Sequence, residues 1–151
     1  MGFGNSGQRG WPAQGGGIPT DPTALPTWFK FTVEHTDFTA AAVSEAISLY
    51  SLPAGGIITG CKLKSTIAFT GTGMTACTMS IGIAGNLESL LPDFDVFQAV
   101  ANDTFAVQEN FDSYNQGAAQ TIQINAISTI GLLNATLTGE LCIWLLVSEA
   151  I

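Results

Sequence analysis

Charged side chains are scarce in this sequence. They make up 11% of its 151 residues, whereas a typical soluble domain carries about 25%. The mean hydropathy is +0.34, and apolar surface left in water is unfavourable. The composition therefore predicts that other subunits cover part of the surface of the folded chain. A monomer coated with Thr and Ser is the alternative interpretation.

Positive charge is the scarcest of all. The chain has 4 basic and 12 acidic residues, which gives a net charge of −8 at pH 7. A protein that binds nucleic acid concentrates Lys and Arg in a run or patch, and the sequence contains no Lys/Arg cluster. We therefore predict no nucleic-acid partner. The acidity suits solubility in a crowded assembly, or attraction to a basic partner surface.

Histidine occurs once, at His35. General-base chemistry and many metal sites draw on histidine, and the sequence contains no Gly-x-Ser-x-Gly motif. We predict that the protein is not an enzyme and that it holds no cofactor. The stretch 93–112 could supply several oxygen ligands for Ca²⁺, but a solvated acidic loop is the favoured interpretation. The carboxylates in question are Asp93, Asp95, Asp103, Glu109 and Asp112.

Cysteine is limited to Cys61, Cys77 and Cys142. An odd number of cysteines without metal-binding spacing predicts buried free thiols that pack as small hydrophobes. Such thiols indicate a chain made and folded in a reducing cytosol. The apolar run 141–147 is far shorter than the roughly 20 residues of a spanning helix, and the N-terminus carries no recognisable signal peptide. We predict no membrane partner.

Residues 1–27 form a segment of their own. They are rich in Gly and Pro, so neither helix nor strand is expected to persist through them. We predict an extended arm that straps the protein to neighbouring chains in an assembly. An arm folded back on its own domain is the alternative. The spaced apolar residues that would anchor the arm to a partner are Phe3, Trp11, Ile18 and Leu25.

The predicted domain, 28–151, is organised around the stretch 57–83. Period-two alternation in this stretch indicates strands with one buried face. The break at 71–73, Gly-Thr-Gly, predicts that the two strands pair as a hairpin. The residues predicted to share the buried face are Cys61, Leu63, Ser65, Ile67 and Phe69 in the first strand and Cys77, Met79, Ile81 and Ile83 in the second.

Further strands are predicted on both sides of this stretch. They cover 28–34, 43–52, 120–129 and 141–148, with short strands at 104–108 and 135–137. A helix over 40–50 is the alternative for the second of them, and single helical turns are predicted at 40–42 and 87–91. About seven or eight antiparallel strands with turns between them predict an all-β fold, either a β-sandwich or a jelly roll.

Two tryptophans are candidate partner-binding residues within this domain. Trp28 opens the first predicted strand and Trp144 lies in the last one. The last strand is apolar on both faces, and continuous apolarity in a strand indicates cover on both sides. One side is expected to face the core. The other is expected to face another element or another subunit.

Five segments carry a resemblance to a known class of protein. They are 28–33 after the Gly/Pro arm, 48–56, the strand with Lys62 and Lys64, 80–85, and 137–141 before the final strand. Together they resemble small β-sandwich structural proteins of tailed bacteriophages, over 28–151. The resemblance implies a capsid decoration or cement protein without catalysis. It implies a homo-oligomer, often a trimer, that sits on the lattice of the major capsid protein in the virion after synthesis in the host cytoplasm.

A different function within the virion is the alternative. The chain could be a tail, fibre or head–tail accessory protein with a receptor- or glycan-binding sandwich. The loop 110–116 displays Phe111, Tyr114 and two amide side chains, and such groups can receive a sugar. A plain surface loop is the favoured interpretation of that stretch.

Overall fold

The computed structural model of the chain describes residues 26–97, 104–107, 114–115 and 118–148. These residues form nine strands and two short 3-10 turns, His35–Asp37 and Leu133–Ala135. The strands are β1 (Thr27–Glu34), β2 (Ser44–Leu52), β3 (Ile57–Gly71), β4 (Ala76–Ile83), β5 (Asn86–Asp95), β6 (Thr104–Val107), β7 (Tyr114–Asn115), β8 (Gln120–Thr129) and β9 (Thr136–Ser148).

The strands pair into two antiparallel sheets. The first sheet has the order β1–β9–β3–β6, with β7 also paired to β3, and the second has the order β2–β8–β4–β5. The first strand thus pairs with the last, and the second with the last but one. This nested pairing folds one long hairpin over on itself, which is the jelly-roll form of the sandwich. The predicted fold class is confirmed, and the predicted arm, apart from its last two residues, lies outside the described residues.

The core lies between the two sheets. Successive side chains of a strand point to opposite faces, so alternate apolar residues of both sheets meet in the interior. Ile143 and Leu145 of β9 are fully buried in the first sheet, as are Ile122 and Ile124 of β8 in the second. These residues belong to one continuous hydrophobic cluster. Among the described residues, no helix has the length and apolarity to span a bilayer.

The predicted hairpin over 57–83 is wrong. The strands β3 and β4 have the predicted alternation, but β3 pairs with β9, β6 and β7, whereas β4 pairs with β5 and β8. The chain crosses from one sheet to the other between them. Both strands bury one face in the same core, so the alternation is the same whether they pair side by side or face each other across the interior. Cys61 and Cys77 are accordingly both buried.

Ile67 also departs from the predicted pattern. The alternation predicts that Ile67 lies in the core, yet its side chain is 49% exposed. The cause is a bulge in the ladder between β3 and β9, where Glu140 pairs with Ile67 and the next residue, Leu141, pairs with Ser65. An extra residue on one strand reverses the alternation beyond it, and the next register shift, between Glu140 and Thr138, restores it, so that Phe69 is buried again. Ser65 therefore faces inward and Ile67 faces outward.

The two predicted helical turns are wrong as well. Residues 87–91 belong to β5, an edge strand of the second sheet, where Pro92 is tolerated because its missing N–H breaks no essential ladder bond. The 3-10 turn lies at 35–37, ahead of the predicted 40–42, and the backbone N–H of Glu34 donates to the Asp37 carboxylate over 2.8 Å. The strand predicted at 43–52 is confirmed.

Candidate interaction surfaces

The outer face of the first sheet brings the two candidate tryptophans together. The registers of β1, β9 and β3 place their outward residues in rows across the sheet. From the start of β1 upward, these rows are Trp28, Leu146 and Gly60, then Lys30, Trp144 and Lys62, then Thr32, Cys142 and Lys64, and then Glu34 and Glu140. The three lysines of the chain thus share one face, although the sequence contains no basic run.

Trp28 lies across the neighbouring strand. Its side chain is 42% exposed, and the Lys62 ammonium lies 4.5 Å from the centroid of its ring. Because Gly60 has no side chain, the ring can reach as far as β3, and a Cβ at Gly60 would lie only 3.4 Å from it. The indole therefore rests on the sheet with part of its surface in solvent, in a cation–π contact with Lys62.

Trp144 makes a similar contact with the lysine directly opposite it on β1. The Lys30 ammonium lies 5.5 Å from the centroid of the Trp144 ring. In the next row, the Cys142 thiol lies 3.9 Å from the hydroxyl of Thr32. The two lysine–indole pairs hold cationic and aromatic groups at defined positions on a flat face. We call the surface formed by Trp28, Lys30, Lys62, Lys64 and Trp144 the lysine–tryptophan face.

Two carboxylate side chains lie at the upper end of this face. Glu34 and Glu140 pair directly across β1 and β9, and the Thr66 hydroxyl donates to the Glu140 carboxylate. Above them lies an open depression of about 280 Å³. It is lined by Glu34, His35, Ile67, Leu137, Thr138, Gly139 and Glu140.

A second surface is the end of the sandwich where three connections meet. Backbone hydrogen bonds join the β1–β2, β3–β4 and β8–β9 connections: Leu133 N–H to Ala42 C=O over 2.8 Å, and Thr72 N–H to Ala135 C=O over 3.3 Å. The segments 38–44, 66–87 and 118–139 contain no charged residue. We call this surface the uncharged end.

Exposed apolar side chains gather at or beside the uncharged end. Among the described residues, seven large hydrophobic side chains are exposed. Every one except Trp28 lies in the three charge-free segments, and Val43, Ile130 and Leu132 lie in the connections that meet at this end. Such gathering on a soluble protein marks a contact surface. The charge-free segments were visible in the sequence, but only the fold shows that they meet. The six residues are Val43, Ile67, Ile127, Ile130, Leu132 and Leu137.

Ile130 stands at the tip of this end in a left-handed backbone conformation. Its φ is 71°, the only positive value among non-glycine residues in the described ranges, and its side chain is 72% exposed. A β-branched residue is sterically disfavoured there. Its neighbour Gly131 packs tightly, because a Cβ on it would lie 2.7 Å from the Met74 backbone nitrogen. The turn thus holds an apolar side chain in solvent at a conformational cost.

The three thiols are buried and free, as predicted. Burial raises the pKa of the Cys61 thiol to about 12. Burial, together with the nearby Asp95 carboxylate, raises the pKa of Cys77 to about 12. Both groups therefore stay protonated at neutral pH, and a protonated thiol is a weak nucleophile.

Several predicted residues lie outside the described residues. They include the arm residues Phe3, Trp11, Ile18 and Leu25, most of the loop 110–116, and Asp103, Glu109 and Asp112 of the acidic stretch. Of the remaining acids, Asp95 accepts the backbone N–H of Phe97 over 2.8 Å. Across the described ranges, no three His, Cys, Asp or Glu side chains come together as a metal site would require.

Comparison with known proteins finds similar structures. No protein-family model matches the chain, and no curated protein matches it. A chain of the cyanophage Pam1 capsid asymmetric unit has a TM-score of 0.51 and 17% identity, over 99% of this chain and 100% of that one. A chain of the Ralstonia phage GP4 capsid has a TM-score of 0.55 and 16% identity, over 89% and 90%.

A third similar structure is the acid-stable capsid of Helicobacter pylori bacteriophage KHP30. Its matching chain has a TM-score of 0.51 and 13% identity, over 84% of this chain and 91% of that chain. The likeness therefore extends over nearly the full length of chains from three phage capsid structures. At these identities it shows a shared fold.

Proposed function

We propose that this protein is a non-enzymatic structural protein of a bacteriophage virion. In this proposal it is a capsid decoration or cement protein, which binds and stabilises the lattice of the major capsid protein as a homo-oligomer of three copies. The observation that carries the proposal is the uncharged end, where the connections expose Val43, Ile130 and Leu132. An isolated monomer leaves this apolar surface in water, which is unfavourable. Binding to a shell that covers the surface removes it from water and is therefore favourable.

The structural comparisons support the same proposal. The matching chains of the Pam1, GP4 and KHP30 capsid structures are covered over 90% or more of their own length. A single sandwich of this size is thus found as a whole chain in phage shells. The low charge content agrees with a protein whose surface is shared with neighbours.

Cementing in this proposal comes from burial of the uncharged end. Each buried Å² of apolar surface is worth about 25 cal/mol, and the gain repeats at every copy on the shell. Ile130 contributes most directly, because 72% of its side chain surface is still available for burial. The exposed apolar side chains carry no charge, so their own burial avoids the desolvation penalty that a buried ion would impose.

Shell reconstitution tests the proposal. Particles that lack the protein receive the wild-type chain or the variant Ile130→Asn/Leu132→Asn, and co-sedimentation and calorimetric melting of the shell are measured. The wild-type chain is expected to bind and to raise the melting temperature of the shell, and the variant is expected to do so weakly. Gln123→Asn, on the outer face of the second sheet, serves as the control and should behave as wild type. Equal shell melting with and without the wild-type chain would contradict the cement function.

The arm is tested separately. We propose that residues 1–27 strap the sandwich to neighbouring chains through Phe3, Trp11, Ile18 and Leu25. Deletion of residues 1–26 should then reduce incorporation into shells while the sandwich still melts cooperatively. Undiminished incorporation of the deleted chain would refute the strap and leave the uncharged end as the proposed contact with the shell.

A further inference from the structure

The lysine–tryptophan face has the chemistry of a surface that receives carboxylates. It holds three lysines and two tryptophans within three neighbouring strands, in a chain whose net charge is −8. The described carboxylates on the same side, Glu34 and Glu140, lie together at its upper end. The lower part of the face is therefore positive, and the remainder of the chain is strongly acidic.

The lysines of this face are held in place before any partner arrives. Lysine is usually depleted at interfaces because ordering its long side chain costs conformational entropy. Here the ammonium of Lys62 lies 4.5 Å from the Trp28 ring and that of Lys30 lies 5.5 Å from the Trp144 ring. Part of the ordering cost is thus already met in the free chain, and preorganisation of this kind raises affinity.

The exposed indole adds an apolar anchor to the charged groups. Trp28 is 42% exposed and is the one large exposed hydrophobic residue, within the described ranges, that lies outside the three charge-free segments. Tryptophan is enriched among residues that dominate binding energy. An acidic partner with apolar side chains between its carboxylates fits this combination.

The chain itself carries such a surface on the edge strand β5. Glu88, Asp93 and Asp95 are exposed on this strand, as is Pro92 between them, whereas Phe94 is half-buried against the core. The strand lies at the edge of the second sheet, whereas the lysine–tryptophan face belongs to the first. One copy therefore cannot place its own β5 on its own face, but a neighbouring copy can.

We infer that the lysine–tryptophan face binds the acidic β5 edge of a second copy of this chain. The two patches are different, so the contact is heterologous, and a heterologous contact that closes on itself generates a ring. This inference rests on the proposed homo-oligomer and names its contact. It leaves the uncharged end of each copy available to the shell.

Charge exchange tests the inference. The face variant is Lys30→Glu/Lys62→Glu, the edge variant is Glu88→Lys/Asp95→Lys, and the exchange variant carries all four substitutions. Sedimentation of the full chain at low and high salt measures self-association. The face and edge variants are each expected to weaken association about tenfold or more, and added salt should weaken the wild type because it screens surface charge. The exchange variant should recover association, since its patches are again opposite in charge.

The exchange variant also serves as the control for net charge, which it shares with the wild type. Lys30→Gln/Lys62→Gln provides a milder face variant if charge reversal impairs folding, and it should weaken association in the same direction. An exchange variant that associates as poorly as the face and edge variants would overturn the inference. So would a face variant that loses shell binding but keeps wild-type self-association, because the face would then receive an acidic surface of the shell.

Failure of this inference is distinguishable from failure of the proposed function. If the wild-type chain raises the melting temperature of shells while the face and edge variants associate normally, the cement function stands and the β5 contact falls. If charge exchange behaves as expected but the wild-type chain leaves shell melting unchanged, the contact between copies stands and the cement function falls.

Discussion

Ile130 combines a left-handed backbone conformation, which disfavours a β-branched residue, with an exposed apolar side chain. A left-handed backbone costs an L-residue about 1–2 kcal/mol, and Asn or Gly adopts it more readily. The exposed isoleucine recovers little of this cost by burial in the free chain. Burial of this side chain in an assembly would offset the conformational cost.

We predict that Ile130→Asn stabilises the free protein by about 1 kcal/mol, because it relieves the backbone strain and removes little buried surface. Leu132→Asn is the matched control, since Leu132 is 41% exposed at the same end but has an ordinary φ of −79°. It should be neutral or destabilising. Urea unfolding midpoints measure both. A loss of stability in Ile130→Asn as large as that in Leu132→Asn would show that the turn is unstrained.

The buried thiols make stability depend on alkaline pH. The pKa of Cys61 and that of Cys77 rise from 9.0 to about 12 on folding. Between these values the unfolded chain has lost protons that the folded chain retains, so stability falls as pH rises. Below the lower value both states are protonated, and the thiols add no pH dependence.

We therefore predict that the free energy of unfolding falls by about 1.4 kcal/mol per pH unit for each thiol above pH 9. Urea unfolding at several pH values measures how the free energy of unfolding changes with pH. A range of roughly pH 8 to 10.5 brackets the thiol pKa of the unfolded chain. The variant Cys61→Ala/Cys77→Ala should be less stable overall but should show a flatter slope. An unchanged slope in the variant would mean that other groups cause the alkaline loss.

At the scale of elements, β9 shows how local irregularity shapes the sheet. The strand lies between β1 and β3, and its ladder with β3 contains several register shifts. Gly139 sits at one of them with a φ of 152°, and a Cβ there would lie 2.2 Å from the Phe69 ring. Phe69 in turn packs edge-on against Phe38 at 6.1 Å. The glycine is therefore required for the core beneath the bulge.

We predict that Gly139→Ala destabilises the protein by about 2–4 kcal/mol, as the sum of backbone strain and overpacking. Gly85→Ala is the control, since its φ is 92° and a Cβ there would meet nothing within 4 Å. It should lose only the backbone contribution, about 1 kcal/mol. Thermal unfolding of both variants measures the difference. Equal losses would show that Phe69 moves aside without penalty.

The elements also show which features the sequence could predict. Alternation in 57–83 predicts two strands with a buried face, and both exist. It cannot distinguish a hairpin from a crossover between sheets, because both bury the same residues. The bulge that turns Ile67 outward depends on the partner strand, which lies about 70 residues further along the chain. A local pattern contains no information about such a partner.

The sequence could predict some residues of the candidate surfaces but not how the fold brings them together. Trp28 and Trp144 could be singled out as large apolar residues of the predicted strands, Trp28 at the start of the first and Trp144 in the last, where cover is expected on both sides. The three lysines could not, since their common face arises only when β1 and β3 pair with β9. The charge-free segments were visible, but their meeting at one end depends on hydrogen bonds between distant connections.

At the scale of the whole molecule, the order of strands determines when the fold can form. The last strand, β9, lies in the middle of the first sheet between β1 and β3, so the sheet is incomplete until nearly the whole chain is available. Pairing of β1 with β9, the first and last of the described strands, joins residues that are far apart in the sequence. Non-local β-sheet proteins fold slowly, in roughly milliseconds to seconds.

We predict that a chain truncated after residue 140 does not fold, because it lacks the part of β9 that supplies Leu141, Ile143, Leu145 and Val147 to the core. A chain truncated after residue 148 should retain a cooperative melt, since it keeps the whole strand. Far-UV circular dichroism and thermal melting compare the two chains with the full-length protein. A cooperative transition in the shorter chain would mean that β1 and β3 form a stable structure without β9 between them. The core would then not depend on the pairing of β9 with these two strands.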